Sequence, residues 1–407
     1  MASPRRIHYG WLIVPMGTLT VFVALGLGRF ALGMLLPSMG ASLDLSYDEM
    51  GYIGTANFIG YLGAVLLAGP LVQRLGARYA ISLGLLLVAL SMLLVGRAQD
   101  FLSVLLLYVA TGIGSGASNV PIMGLVSHWF QRHVRGRAAG FIVIGSGFAI
   151  MFAGTVIPYL NRTLGAEGWR MGWTLLGGLS LLVAGLVFAV LRNHPEDVGL
   201  EPVGGAPPPL SLGASAQARE GSAARLLAHL GAIYFLYGAS YAVFATFIVT
   251  TLVRDFGFSE SQAGGFWIWI GALSLLSGPL FGTLSDHVGR KLGLMLPYGL
   301  HMIAYALVAS HPDLWGIYLA IALFGVSAWA VPGIMAVVVG DTLGPKRAVK
   351  GFGTITVVFG LGQIAGPALA GEIAQANGNF TMAYWMISGL AGLAVLLTSF
   401  LKVQSNR

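Results

Sequence analysis

The residue with the clearest chemical meaning is Arg29, a guanidinium inside an apolar run that covers residues 19–37. A charge near the middle of a bilayer costs at least about 2.5–3.5 kcal/mol, so such residues face a protein interior or a water-filled path. A guanidinium holds a carboxylate through two parallel hydrogen bonds. We therefore predict that Arg29 binds an anionic substrate. The alternative is a structural role, in which Arg29 binds backbone carbonyls or extends to the membrane surface.

Other polar and aromatic side chains stand at helical spacing in separate apolar runs. Tyr234, Tyr237 and Tyr241 share one helix face because they are three and four residues apart. We expect this face to look toward Arg29, although aromatic stripes also serve simple packing. Asn57 and Tyr61 are expected to line the outer path. The predicted substrate-binding residues are Arg29, Asn57, Tyr61, Asn119, Tyr234, Tyr237, Tyr241, Trp329 and Gln363.

The elements that hold these residues follow from composition. The chain of 407 residues is 56% hydrophobic and only 9% charged, whereas soluble domains are about 25% charged. Helices of about 20 apolar residues span a bilayer, and the runs lack the alternation of barrel strands. The sequence predicts an all-α polytopic membrane protein. With no cysteine, disulfides and cysteine nucleophiles are excluded.

Twelve spans can be assigned from apolar runs of 18 or more residues. The expected ranges are roughly 10–36, 50–72, 79–96, 101–126, 138–160, 171–191, 226–252, 263–285, 292–310, 314–339, 350–372 and 380–401.

The distribution of basic residues predicts the orientation. If both termini are cytoplasmic, 17 of the 22 Lys and Arg residues lie on the cytoplasmic side, as the positive-inside rule requires. The basic residues behind the net charge of +7 then set the orientation in the membrane. Their expected partner is the lipid bilayer, and nucleic acid is not expected to bind. A plasma membrane, in a bacterium the inner membrane, is the predicted location.

The chain repeats itself in two halves. At an offset of 213 residues Ser46 matches Ser259 and Gly76 matches Gly289. Matches at glycine indicate that the same helix bends and close approaches recur in both halves. The stretch 192–225 is rich in Pro, Gly, Ala and Ser, so we expect a flexible cytoplasmic linker. The predicted domains are a six-helix bundle at 1–191, the linker, and a second bundle at 226–407. Parallel repeats of this kind indicate an alternating-access transporter with a central site.

Two loop motifs add a resemblance to a known family. GTLSDHVGRKLG at 282–293, and GPLVQRLGARY at the equivalent place, 69–79, resemble the loop signature of the major facilitator superfamily (MFS). The resemblance covers essentially the whole chain. It implies the major facilitator fold of two pseudo-symmetric six-helix bundles and a cytoplasmic latch. The implied latch residues are Arg74, Arg78, Asp286, Arg290, Lys291 and Asp341, with Arg290 and Lys291 able to pair with Asp341. Gln73 replaces the acid of the first loop, which predicts a weaker latch there.

A third motif indicates a subgroup within the major facilitator superfamily. HPEDVGLEP at 194–202 resembles monocarboxylate and oxalate–formate type members. The expected function is secondary transport of a small organic anion, such as a carboxylate, by a monomer without cofactor or metal. Since no Asp or Glu lies deep in a span, anion exchange, a proton carried by the substrate, and outward flow remain open as driving schemes. His301 is expected to be a hydrogen-bonded packing residue.

The sequence alone leaves two alternatives to organic-anion transport. A drug exporter would bind hydrophobic compounds in an apolar cavity and leave Arg29 structural. Known drug–proton antiporters often carry a proline in the fifth helix. The corresponding stretch here, GSGFAIMFAG at 145–154, lacks it, which disfavours this function. A membrane sensor that keeps the fold without transport is the other alternative. Neither alternative is an enzyme.

Overall fold

A computed structural model describes residues 8–205 and 220–401 of the chain. Eleven stretches of these residues are long and apolar enough to cross a membrane, and the longest, at 133–190, contains two helices joined by a short 3₁₀ turn. The described residues therefore contain twelve spanning helices. They are α1 Gly10–Ser42, α2 Tyr47–Leu75, α3 Ala77–Val95, α4 Phe101–Trp129, α5 Arg132–Leu164, α6 Gly168–Val190, α7 Glu220–Arg254, α8 Glu260–Val288, α9 Arg290–Ala309, α10 Leu314–Leu343, α11 Pro345–Asn377 and α12 Thr381–Ser399.

The sequence repeat corresponds to a repeat of local structure. Ser46 and Ser259 each cap a helix of 29 residues, α2 and α8, through a reciprocal capping box. Both helices end at a glycine with positive φ, +79° at Gly76 and +88° at Gly289. Since L side chains rarely adopt this conformation, glycine is required at both places. The same start and stop signals thus set both copies of this helix.

Packing follows the two halves. In the first half α4 packs on α2 and α3, and α3 packs on α6. In the second half α7 packs on α11, and α9 packs on α12. The halves meet where α2 contacts α11, α5 contacts α8, and α1 contacts α7. The central helices of each half therefore face one another across a shared interface.

Helix α1 is not a regular α-helix over its whole length. Residues Phe22–Phe30 form π-helical turns between two α-helical segments, and the helix continues to Ser42, beyond the expected end at 36. A π-helical segment inserts extra residues into a helix and is frequent at functional sites. Here it ends one residue after Arg29. The irregular turns therefore decide where the guanidinium points.

Helix α10 is interrupted near its middle, whereas the sequence predicted one continuous helix over 314–339. Its first segment ends at Ser327 and its second begins at Ala330. Proline at position 332 has no N–H to donate to the carbonyl of Ala328, four residues earlier. The hydroxyl of Tyr237 donates to that carbonyl instead, at 2.6 Å. The break is thus stabilised by a side chain from α7.

The first part of the predicted flexible linker is held against the bundle. Val203 forms backbone hydrogen bonds with Gln131 (3.0 Å) and Trp129 (2.9 Å). The Asp197 carboxylate accepts from the backbone N–H of Asn193 and of His194, both at 3.0 Å. In this structure 192–205 is therefore tied to the bundle by hydrogen bonds, and the flexibility of the linker remains a prediction. Residues 206–219 of the linker lie outside the described residues.

Side-chain contacts join the two halves at one end of the bundle. We call the end that holds residues 192–205 the linker face, and the opposite end, with the loops at 43–46 and 378–380, the far face. At the far face Tyr52 donates to Glu372, and the Tyr47 N–H donates to Gln375 at 3.0 Å. Asn161 donates to Glu260 at 2.5 Å.

Close backbone approach adds to these contacts. A Cβ at Gly51 would lie 2.5 Å from the carbonyl oxygen of Pro367, and a Cβ at Gly371 would lie 2.7 Å from that of Tyr47. Such spacing leaves room for glycine alone. Helices α2 and α11 are therefore in direct backbone contact at the far face.

Candidate substrate site between the two halves

Arg29 lies at the interface of the halves with its charge not paired to an acid. Its guanidinium carbon lies over the ring of Tyr61 at 4.2 Å and over that of Phe58 at 4.7 Å. These cation–π contacts are favourable in a desolvated place. None of the ion pairs found among residues 8–205 and 220–401 includes Arg29.

One edge of the guanidinium has no partner in the protein. The Nε and Nη2 atoms of Arg29 are buried and make no hydrogen bond. A buried donor left unpaired costs about 1–3 kcal/mol, and more when it is charged. These two atoms form the edge that binds a carboxylate through two parallel bonds. The site is thus chemically incomplete without an acceptor.

Two asparagines position the first-half side of the site. Asn57 donates to the carbonyl of Gly28 at 3.1 Å, and Asn119 donates to the hydroxyl of Tyr61 at 2.8 Å. Asn57 is 1% exposed. It lies beside Arg29, rather than along the outer path that the sequence suggested. The hydroxyl of Tyr108 donates to the Arg29 carbonyl at 3.1 Å, which anchors the π-helical turn.

The second half contributes residues from α7, α10 and α11. The phenol of Tyr241 lies close enough to both Arg29 and Gln363 to interact with their polar groups. Its ring also contacts Trp329 edge-on at 5.7 Å. Trp329 occupies the break in α10 and contacts Phe30, the neighbour of Arg29, at 5.2 Å. The two irregular segments, in α1 and α10, therefore meet at this point.

Two more donors at the site lack partners. The Nε1 atom of Trp329 and the Nε2 atom of Gln363 are buried without a hydrogen bond. Together with the two Arg29 nitrogens they form a group of unpaired donors contributed by both halves. The Oδ1 atoms of Asn57 and Asn119 are also unpaired. Donors outnumber acceptors, and the only formal charge among these groups is positive.

The tyrosines of α7 behave differently from the expected uniform stripe. Their rings do stack along the helix, Tyr234 on Tyr237 at 6.0 Å and Tyr237 on Tyr241 at 5.3 Å. Tyr241 interacts with Arg29, and Tyr234 lies near Tyr61. Tyr237 is 1% exposed and directs its hydroxyl to Ala328. In this state the phenol of Tyr237 is therefore engaged at the break in α10, and its role in substrate binding remains a prediction.

Sequence reasoning missed two rings of the site, Phe58 and Phe359. Phe58 covers the guanidinium, and Phe359 stacks on Tyr234 at 4.4 Å. Each stands at helical spacing from a residue that was identified, Phe58 three before Tyr61 and Phe359 four before Gln363. A cavity about the size of one water molecule lies beside Arg29. Its lining includes Asn57, Phe58 and Tyr108.

His301 lies behind the site and is fully buried. Its ring stacks with Tyr237 at 6.0 Å, Tyr305 at 5.7 Å and Phe324 at 5.1 Å. Neither ring nitrogen has a hydrogen-bond partner. The packing role expected for His301 agrees with these contacts, but the expected hydrogen bond is absent.

The loop residues at the linker face contact partners within their own halves. Arg290 binds Asp286 at 2.5 Å and Asp341 at 3.1 Å. Arg78 donates from Nε to the carbonyl of Phe188 at 2.8 Å. Lys291 and Arg74 are exposed at the same face. The latch role of these residues remains a prediction.

Comparison with known proteins agrees with this architecture. The family model described as "Uncharacterised MFS-type transporter YbfB" matches residues 21–399. The 3-(3-hydroxy-phenyl)propionate transporter of Escherichia coli (strain K12) is 28% identical over 91% of this chain and 90% of its own length. Monocarboxylate transporter 11 of Homo sapiens is 25% identical over 99% of this chain and 84% of its own.

A solved structure shows the same fold at low sequence identity. It is a bacterial homolog of the human lysosomal transporter Spinster in an inward-facing, unoccupied conformation. It superposes with a TM-score of 0.73 at 16% identity, covering 98% of this chain and 96% of that one. The predicted all-helical fold of two pseudo-symmetric bundles is thereby confirmed. The chain belongs to the MFS-type transporter family whose model spans it, and it is a multi-pass membrane transporter of small molecules and not an enzyme.

Proposed function

We propose that this protein is a secondary transporter of a small organic anion, a carboxylate, which binds at Arg29 between the two halves. The observation that carries the proposal is the edge of the Arg29 guanidinium whose Nε and Nη2 atoms are buried and unpaired. An edge of this geometry donates two parallel hydrogen bonds to the two oxygens of one carboxylate. The names of two relatives, a hydroxyphenylpropionate transporter and a monocarboxylate transporter, support the same substrate class.

Alternating access follows from how the halves meet. The bonds from Tyr52 to Glu372 and from Tyr47 to Gln375 close the far face, and we propose that the site opens toward the linker face in this state. With the linker face in the cytoplasm, as the positive-inside rule places it, this state faces inward. Rocking of the halves about Arg29 then exposes the anion to the other side. We place the protein in a bacterial inner membrane, with both termini cytoplasmic and the chain acting as a monomer.

The coupling scheme is constrained by the distribution of acids. Within the described spans every Asp and Glu lies within about two turns of a helix end. A protein carboxylate that carries a proton through the membrane centre is therefore not available there. Exchange for a second anion, or uptake of a carboxylate together with its own proton, satisfies the charge balance without one. We favour these two schemes.

The test is counterflow of radiolabelled carboxylates into proteoliposomes that contain the full chain. Arg29→Ala should abolish counterflow, because an anion in the desolvated site then has no counter-charge. Arg29→Lys should retain part of it, since an ammonium supplies charge without the planar pair of donors. Arg97→Ala, at an exposed position between α3 and α4, is the matched control and should behave as wild type.

Two results would overturn the proposal. Full carboxylate counterflow in Arg29→Ala would show that the guanidinium is structural. Flux of cationic dyes without any anion flux would assign the protein to the drug-exporting class instead.

A further inference from the structure

Aromatic rings surround the unpaired donors of the site. Tyr61, Trp329 and Phe359 are partly exposed, while Phe30 and Tyr241 are buried behind them at 4% and 3% exposure. The partly exposed rings come from three helices, α2, α10 and α11, and therefore from both halves. The apolar wall of the site is thus built largely of flat π surfaces.

These rings are ordered relative to one another. Phe359 lies within 18–19° of parallel to Tyr234 and Tyr237, at 4.4 and 5.7 Å. The indole of Trp329 meets Tyr241 at 74° and Phe30 at 46°, so neither neighbour stacks in parallel on it. Its Nε1 donor is also unpaired, although a buried indole N–H normally finds a partner. Trp329 therefore offers a partly exposed ring without a parallel stacking partner and a buried donor without a hydrogen bond.

We propose that the transported carboxylate is an aryl carboxylate whose ring packs against Trp329 while its carboxylate binds Arg29. This inference rests on the proposed function and specifies the apolar part of its substrate. The break in α10 supports it, because the interruption places Trp329 at the site and gives its backbone N–H a separate partner, Ser277, at 3.0 Å. The backbone at Trp329 is thus held by a group that a ligand does not need to displace.

Ring–ring contacts should give an aromatic ligand a different affinity from a ligand with a saturated ring of similar size. Ring–ring contacts are worth about 0.5–1.5 kcal/mol beyond the area that they bury, which corresponds to about twofold to tenfold in affinity. A merely apolar cavity lacks this term and prefers the larger, more hydrophobic saturated ring. A preference for the phenyl ligand over the cyclohexyl ligand therefore indicates ring–ring contact.

The experiment compares 3-phenylpropionate with 3-cyclohexylpropionate as ligands of the purified full chain, by calorimetric titration. Wild type should prefer the phenyl compound, and its phenyl-to-cyclohexyl affinity ratio should exceed that of a variant without an aromatic ring at position 329 by about twofold to tenfold. Trp329→Leu should bring the ratio to one or below, and Trp329→Phe should keep a phenyl preference. Trp315→Leu is the matched control, because Trp315 is 77% exposed at the start of the same helix. It should leave the ratio unchanged.

The outcomes distinguish this inference from the proposed function. Equal binding of both compounds by wild type, with loss of both in Arg29→Ala, would overturn the aryl inference and leave the carboxylate site intact. A phenyl preference that survives in Trp329→Leu would overturn the role of Trp329. Failure of wild type to bind either compound, or any simple carboxylate, would overturn the proposed function itself.

Discussion

The close approach of α2 and α11 at the far face makes a strong prediction about conformational equilibrium. A Cβ at Gly51 would lie 2.5 Å from the carbonyl oxygen of Pro367 and 3.1 Å from the Cα of Gly371. Both neighbours are backbone atoms of the opposite half, so they cannot move aside as a flexible side chain can. Gly51→Ala should therefore destabilise the state closed at the far face. When the halves separate there, the added methyl group meets no such obstacle.

The magnitude follows from the cost of overpacking. Inserting a methyl group into a closely packed contact costs about 1–3 kcal/mol. Applied to one state alone, this cost shifts the equilibrium about 5- to 150-fold. If the far-open state is about 1% populated in the wild type, within the usual range for a minor state, it should rise to about 5–60%. A change of this size is measurable by distance spectroscopy.

The assay uses spin labels on two introduced cysteines, and the absence of native cysteine leaves no background labelling. Ser42→Cys and Ala376→Cys place one label on each half at exposed far-face positions. Gly51→Ala should add a population at longer distance. Gly63→Ala on the same helix is the control, because nothing lies within 4 Å of its added Cβ. An identical distance distribution in both variants would refute this account of far-face closure.

Two further predictions concern the linker face. Gly289→Ala should lower thermal stability in detergent by about 1–3 kcal/mol, because its φ of +88° and ψ of 156° lie in a region reserved for glycine. Gly282→Ala, whose added Cβ meets nothing within 4 Å, should not lower it, and equal melting temperatures would contradict the backbone explanation. Arg290→Ala removes the contacts with Asp286 and Asp341. It should slow carboxylate counterflow while changing stability by less than about 1 kcal/mol, since the pairs are partly exposed. Counterflow at the wild-type rate in Arg290→Ala would count against a latch.

Particular residues show how far the sequence could be interpreted. The match between Ser46 and Ser259 was visible in the sequence, but the helix starts that they cap were not predicted, since the expected spans began at 50 and 263. The anomaly of Arg29 was visible because a charge in an apolar run is costly wherever its side chain points. The placement of Asn57 next to Arg29 was not visible, because it depends on how α2 packs against the π-helical turns of α1.

The sequence by itself determined the membrane-spanning class, the twelve helices, the repeat and the one charge at the centre. These features follow from hydropathy and from local backbone chemistry. Only the tertiary structure decided that α10 breaks at Trp329, that Tyr237 stabilises this break, and that the edge of Arg29 has no partner. The reason is physical: hydrogen-bond satisfaction in a core depends on atoms from several helices at once, and no single segment of the chain records which of its donors will be left for a ligand.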